Sequence, residues 1–167
     1  MPTSAAPGRS NRIEAVVVRL LKRQGETLAL AESCTGGFIA NQITNVPGAS
    51  NIFLGGVVAY SNGVKRRFLG VRAKPLAGNG AVSEATARAM AEGALKKFGA
   101  DFAIAVTGIA GPGGGTKSKP VGTVFIALAG GGETVVERKM NHLDREQFKQ
   151  ATANQALKML HLRLMGR

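Results

Sequence analysis

Apolar positions recur along this chain with two different periods. Ile13, Val16, Val17, Leu20 and Leu21 return at three- and four-residue steps up to Gly25, which predicts an amphipathic helix from Arg12 onward. "ETLALAES" follows as a short buried strand. Gly36 and Gly37 then precede "FIANQITN", a helix ended before Pro47. "NIFLGGVVAYS" predicts a second strand, with a bulge or a close backbone approach at Gly55-Gly56.

In the second half, Ser83 predicts a helix N-cap, with Glu84 in the first turn where its charge opposes the helix dipole. That helix runs through "ATARAMAEGALKK" and stops at Gly99, and "DFAIAVTG" supplies a third strand. "IAGPGGGTKSKP" has the composition of a loop. "VGTVFIALAG" and "ETVVERKM" flank Gly131-Gly132 and predict two antiparallel strands joined by a tight turn. Asp144, with Gln147 three residues on, has the form of a capping box opening a long helix lined by Ala153, Leu157, Leu160 and Leu164. Helices alternating with buried strands, then a hairpin and a closing helix, predict an α/β layered domain with a mixed sheet. Residues 1–11, rich in Pro, Ser, Ala and Gly, read as a flexible tail, which leaves 12–167 as one domain without internal repeat.

Composition narrows the chemistry. The chain has 167 residues and a single cysteine, Cys34, so no intramolecular disulfide forms. With His142 and His161 the only histidines, a Cys/His zinc site cannot be assembled, and no acidic cluster suggests a carboxylate-bound metal. No apolar run reaches membrane-spanning length, and the expected setting is cytoplasmic. The net charge of +12 raises the question of nucleic acid. The basic groups (Lys65-Arg66-Arg67, Lys96-Lys97, Lys117 with Lys119) are dispersed, and Tyr60 is the only tyrosine in a chain without tryptophan. Base-stacking platforms are therefore poorly supplied, and attraction of a small anionic substrate or ordinary solvation accounts better for the charge.

"GPGGGTKS" from Gly111 nearly matches the phosphate-loop pattern, but Thr116 stands where its second glycine belongs. A strand, not a helix, is predicted to follow Lys119-Pro120, so the ATPase reading fails. Successive glycines can still converge their amides into an anion-binding nest, or can serve only as a connection. In "AESCTGG" three candidate nucleophiles, Ser33, Cys34 and Thr35, stand at the end of the first strand. A serine needs a base, and a lysine with a lowered pKa can be one. Lys65 lies just beyond the second strand, where Tyr60 is a candidate to relay a proton or orient a substrate. Parallel strands would bring Ser33, Tyr60 and Thr107 to one rim, where open α/β sheets bind ligands. The plainer alternative has these hydroxyls closing turns and Lys65 on a helix surface. Cys34 is the rival nucleophile, although its place next to Ser33 on a strand points it to the opposite face, where a lone cysteine commonly fills core.

"LALAESCTGG", "GGVVAYSNGVKRRFLGV", "GAVSEATARAMAEGA", "AVTGIAGPGGG", "KPVGTVFIAL" and "DREQFKQATANQAL" occur in the order of the CinA C-terminal domain family, which the chain resembles from about Ile13 to Leu160. The resemblance is to the stand-alone form, and it implies a three-layer α/β/α sandwich with a mixed, mainly parallel sheet, assembled into a homo-oligomer. It also implies hydrolysis of nicotinamide mononucleotide to nicotinic acid mononucleotide and ammonia, a step of pyridine nucleotide recycling, with no metal or organic cofactor. Ser33, Lys65 and Tyr60 are then catalytic. Thr35, Gly36, Gly37, Thr107, Gly108, Gly111, Gly113, Gly114 and Arg145 bind the substrate or its oxyanion. Direct attack by water and a non-catalytic nucleotide-binding module remain the alternatives. The chain departs from the family pattern in its "TKSK" loop, usually acidic, and at Lys149, near which a second arginine is common.

Overall fold

Alternation of large and small side chains divides the core into two. In the computed structural model, which describes residues 11–78 and 80–166, the strands are β1 (Leu28–Glu32), β2 (Phe53–Val58), β3 (Phe102–Gly108), β4 (Thr123–Gly130) and β5 (Glu133–Met140). Leu28, Leu30, Phe102, Ile104, Val106, Val124, Ile126 and Leu128 pack on one face of the sheet. Ala29, Ala31, Ala103, Ala105, Ala127 and Ala129 pack on the other. The helices are α1 (Ile13–Gln24), α2 (Phe38–Thr44), α3 (Asn62–Leu69), α4 (Ala73–Gly78), α5 (Glu84–Phe98) and α6 (Arg145–Met165). α1, α2 and α6 cover the aliphatic face, and α3 and α5 cover the alanine face. Three α/β/α layers result, as expected.

The five strands lie in the order β2-β1-β3-β4-β5. β2, β1 and β3 are parallel, while β4 is antiparallel to both β3 and β5. The chain leaves β1 through α2 on the aliphatic face to reach β2, then returns through α5 on the alanine face to β3. The gap between the C-terminal ends of β1 and β3 is therefore a topological switch point, where such sheets leave a crevice. Ser33 directly follows β1, and Thr107 is the next-to-last residue of β3.

Local signals behaved as their chemistry dictates. Ser83 Oγ accepts from Thr86 N (3.1 Å) and Asp144 Oδ1 from Gln147 N (2.8 Å), so both expected caps are present. Gly131 and Gly132 take positive φ of 63° and 86°, the conformation a two-residue hairpin turn requires. The irregularity expected near Gly55 is a register shift: Leu28 pairs with Phe53 and Ala29 with Gly55, leaving Leu54 as the extra residue. α3 and α4 were not foreseen, because "NGVKRRFL" and "AKPLAG" carry no sustained apolar period. The tail expected over residues 1–11 lies, apart from Asn11, outside the described residues.

α5 approaches α3 closely enough that a Cβ on Gly93 would overlap the Leu69 carbonyl oxygen. Gly93→Ala, favoured by helix propensity by about 1 kcal/mol, is expected to destabilise the fold by about 1–3 kcal/mol through overpacking. Urea denaturation of the two proteins measures the difference.

Candidate active site

Lys65 is among the largest side chains buried in the described part of the protein, at 1 % exposure. Ser61 caps α3, its Oγ accepting from Val64 N (3.2 Å), and the first turn of α3 then turns Lys65 inward beneath the end of the sheet. Its Nζ donates to Ala59 O (2.7 Å) and Tyr60 O (3.3 Å) and lies 3.0 Å from Ser33 Oγ. The surface-helix alternative for Lys65 is thereby removed. Burial pushes its pKa below the usual lysine value, an effect only partly opposed by Cys34. A neutral amine has two N–H groups and one lone pair. With the N–H groups on the two carbonyls, the lone pair is left for the Ser33 hydroxyl.

Ser33 N donates to Val106 O (3.0 Å), which extends the β1–β3 ladder one residue beyond Glu32. Ser33 consequently falls on the alanine face, with Ala29 and Ala31, where α3 brings Lys65. Cys34 packs into the aliphatic core cluster at 5 % exposure, and the little surface it keeps borders the cavity beside Ser33. Burial drives its thiol pKa up to about 12; its own backbone hydrogen bond is the main opposing effect, the nearby Glu32 charge adds to the rise, and Lys65 and Lys149 oppose it. That position and that pKa make Cys34 a poor rival to Ser33.

A cavity of about 290 Å³ opens over this pair. Ser33, Cys34, Tyr60, Lys65, Thr107, Gly108, Gly111, Gly113, Gly114 and Arg145 line it, together with Ala81, Val82, Ile109 and Ala110. Ile109 N donates to Thr123 O (2.8 Å), so by the alternation of an antiparallel ladder the preceding N–H, that of Gly108, points away from β4 and toward Ser33. Gly108 also has no room for a side chain, since its Cβ would come within 2.8 Å of Thr123 O. The glycine loop arrives from β3 and runs back into β4, with no helix after it, as the failed phosphate-loop match implied.

Several expected residues take other parts. Thr107 is 1 % exposed and its hydroxyl donates to Ala81 O (2.6 Å), which pins the Ala81–Val82 wall of the cavity. The Tyr60 side chain is 61 % exposed, and its hydroxyl accepts from Arg145 Nη2 (2.8 Å) instead of meeting Ser33. Arg145 Nη1 donates to Gly111 O (2.7 Å), so this guanidinium closes the rim between β2 and the glycine loop with no carboxylate partner among the described residues. Thr35, Gly36 and Gly37 do not line the cavity. The Thr35 hydroxyl and Gly37 amide donate to Glu32, and the Gly36 amide donates to Ser33 O (3.1 Å). Glu32 itself was not singled out in the sequence, although α2 begins at Gly37 with no side-chain cap of its own and so requires an acceptor from elsewhere.

The fold and site define a three-layer α/β/α domain carrying a buried serine–lysine pair at its switch point. Comparison with known proteins gives the family. A model of the CinA C-terminal domain matches residues 10–164, and the chain belongs to that family. A CinA-like protein of Geotalea daltonii is 53 % identical over 155 residues, covering 93 % of this chain and 38 % of the relative. One from an Anaeromyxobacter strain is 51 % identical over 152 residues, covering 91 % and 37 %. The chain thus spans less than two-fifths of the length of these curated relatives. Among solved structures, a competence-damaged protein (CinA) superfamily protein from Klebsiella pneumoniae superposes with TM-score 0.89 at 37 % identity, covering 93 % of this chain and 97 % of that one. A competence/damage inducible protein from Agrobacterium tumefaciens gives 0.87 at 41 %, covering 97 % and 99 %.

The buried thiol yields a direct check. Alkylation of Cys34 by iodoacetamide at pH 8 is expected to be at least about a thousandfold slower in the native than in the denatured protein, because the thiolate is both scarce and covered. Mass spectrometry of timed samples reads both rates.

Proposed function

We propose that this domain hydrolyses the carboxamide of nicotinamide mononucleotide, releasing nicotinic acid mononucleotide and ammonia, in pyridine nucleotide recycling. The observation that carries the reading is the 3.0 Å contact between Ser33 Oγ and the buried Lys65 amine, at the floor of a cavity rimmed by Arg145. Membership of the CinA C-terminal domain family supports it.

Lys65, whose neutral form burial favours, takes the Ser33 proton as Oγ attacks the carboxamide carbon. The carbonyl π electrons move to oxygen, and the Gly108 amide, aimed past the end of β1, stabilises that oxyanion. Lys65 returns the proton to the leaving nitrogen as the C–N bond breaks and ammonia departs. Water then attacks the acyl ester, giving its proton to Lys65, and Ser33 is regenerated as the acid leaves. Arg145 and the loop of Gly111, Gly113 and Gly114 hold the 5′-phosphate, with the guanidinium exchanging its phenol and carbonyl partners for phosphate oxygens. Val82 and Ile109 supply the apolar walls against which the pyridine ring rests. The homo-oligomer is proposed on the family resemblance alone.

Ammonia release from nicotinamide mononucleotide is the primary test; saturable binding without ammonia would instead establish a non-catalytic nucleotide-binding module. Ser33→Ala and Lys65→Met are each expected to lower kcat by at least about a thousandfold. Full turnover by Ser33→Ala would point to direct attack by water. The neutral amine is the reactive form, so kcat/KM should rise with pH through the Lys65 pKa, and this limb should lie below the ordinary lysine range. Arg145→Ala should raise KM about 10- to 100-fold, the worth of one or two charge-assisted hydrogen bonds, while changing kcat little.

A further inference from the structure

Glu32 ends β1 at 2 % exposure, on the same face as Leu28 and Leu30. A carboxylate there is tolerable only if its oxygens are satisfied. No lysine or arginine pairs with it among the described residues. It accepts four other hydrogen bonds: from Thr35 Oγ1 (2.6 Å), Gly37 N (3.1 Å) and Ile39 N (3.1 Å) at Oε2, and from Ala40 N (2.8 Å) at Oε1. Three of these donors are backbone amides at the start of α2, whose own N-cap residue, Gly37, has no side chain to offer.

We propose that Glu32 is the positioning residue of the nucleophile: its carboxylate anchors α2 and the Ser33–Gly37 turn to the end of β1, and so fixes the direction in which Ser33 leaves the sheet. The inference rests on reading Ser33 as the nucleophile. Adjacent residues on a strand point to opposite faces, so a side chain locked on the aliphatic side sets the orientation of its neighbour on the alanine side. The turn is bound at each step: Ser33 N to Val106 O (3.0 Å), Gly36 N to Ser33 O (3.1 Å), Phe38 N to Thr35 O (3.2 Å), and Thr35 Oγ1 to Glu32. Loss of the carboxylate frees the turn and α2 together, and a hydroxyl that swings by an ångström no longer meets the Lys65 lone pair.

Glu32 also decides which amides serve chemistry. The N-terminus of a helix that follows a nucleophile is a ready anion site. Here Glu32 already occupies the amides of Gly37, Ile39 and Ala40, so α2 offers neither an oxyanion hole nor a phosphate cradle. Those roles pass to Gly108 and to the loop of Gly111, Gly113 and Gly114, on the other side of Ser33.

Glu32→Gln is the discriminating variant, because it keeps the shape but offers an N–H group where an amide N–H needs an acceptor. Phosphonylation of Ser33 by a fluorophosphonate, read by mass spectrometry, reports the nucleophile without requiring the proposed substrate. Its rate in Glu32→Gln is expected to fall at least tenfold, and kcat toward nicotinamide mononucleotide about 10- to 100-fold, with KM within about twofold. Amide exchange at one of Ile39 and Ala40, the one whose acceptor oxygen becomes NH2, should accelerate at least tenfold. A folded Glu32→Gln protein with native phosphonylation rate and native exchange at Ile39 and Ala40 overturns the proposal. So does a raised KM with unchanged kcat. Where Glu32→Gln fails to fold, Thr35→Val removes only the 2.6 Å contact, and an unchanged phosphonylation rate in that variant overturns the proposal equally. A wild-type protein that is not phosphonylated at Ser33 overturns the nucleophile reading instead, and the exchange rates at Ile39 and Ala40 then decide whether Glu32 holds the turn.

Discussion

An amine buried at the end of a β-sheet is the constraint around which this domain is organised. Lys65 could have remained on the surface of α3 at no cost in solvation; instead it lies at 1 % exposure against two backbone carbonyls and one serine hydroxyl. Burial disfavours its charged form, and both carbonyls are satisfied by the neutral one. The arrangement holds only because β2 ends at Val58, so that Ala59 and Tyr60 turn their carbonyls toward α3 before Ser61 caps it. Strand end, cap and helix face together orient one lone pair.

Carboxylate and amine are kept apart by the pleat. Glu32 and Ser33 are neighbours in sequence, yet they face different layers, and the sheet lies between the Glu32 charge and Lys65. A carboxylate on the Lys65 side would have stabilised the ammonium form of that side chain. On its actual side, the charge is spread into the amides that open α2. The same alternation packs Cys34 into the aliphatic core cluster, while Ser33 faces the Lys65 amine.

Much of this was legible in advance, for identifiable reasons. α1, α5 and α6 carry apolar periods or caps that act over a few residues, and β1, β3 and the β4–β5 hairpin are short apolar runs bounded by turn residues. The 3.0 Å approach of Ser33 and Lys65 was accessible because a weak nucleophile calls for a base and few candidate bases follow strand ends. Other residues were not, because their roles depend on contacts distant in sequence. Thr107 ties down Ala81 across 26 residues, and the Tyr60 phenol meets Arg145 across 85. Thr35, Gly36 and Gly37 seemed free to face a ligand until Glu32 and Ser33 O were found to occupy them.

Elements, their faces and the small set of side chains able to do acyl-transfer chemistry were determined by the sequence itself, since period, capping and intrinsic reactivity are local properties. Strand order, the burial of a lysine in a polar-looking helix and the choice of which glycine amides remain free were decided only by tertiary structure. Each depends on what another layer of the sheet already occupies. In "AESCTGG", reactivity narrowed the nucleophile to three residues. Packing against α3 on one side and α2 on the other set Ser33 alone of the three within 3.0 Å of the Lys65 amine and bound the Thr35 hydroxyl to Glu32.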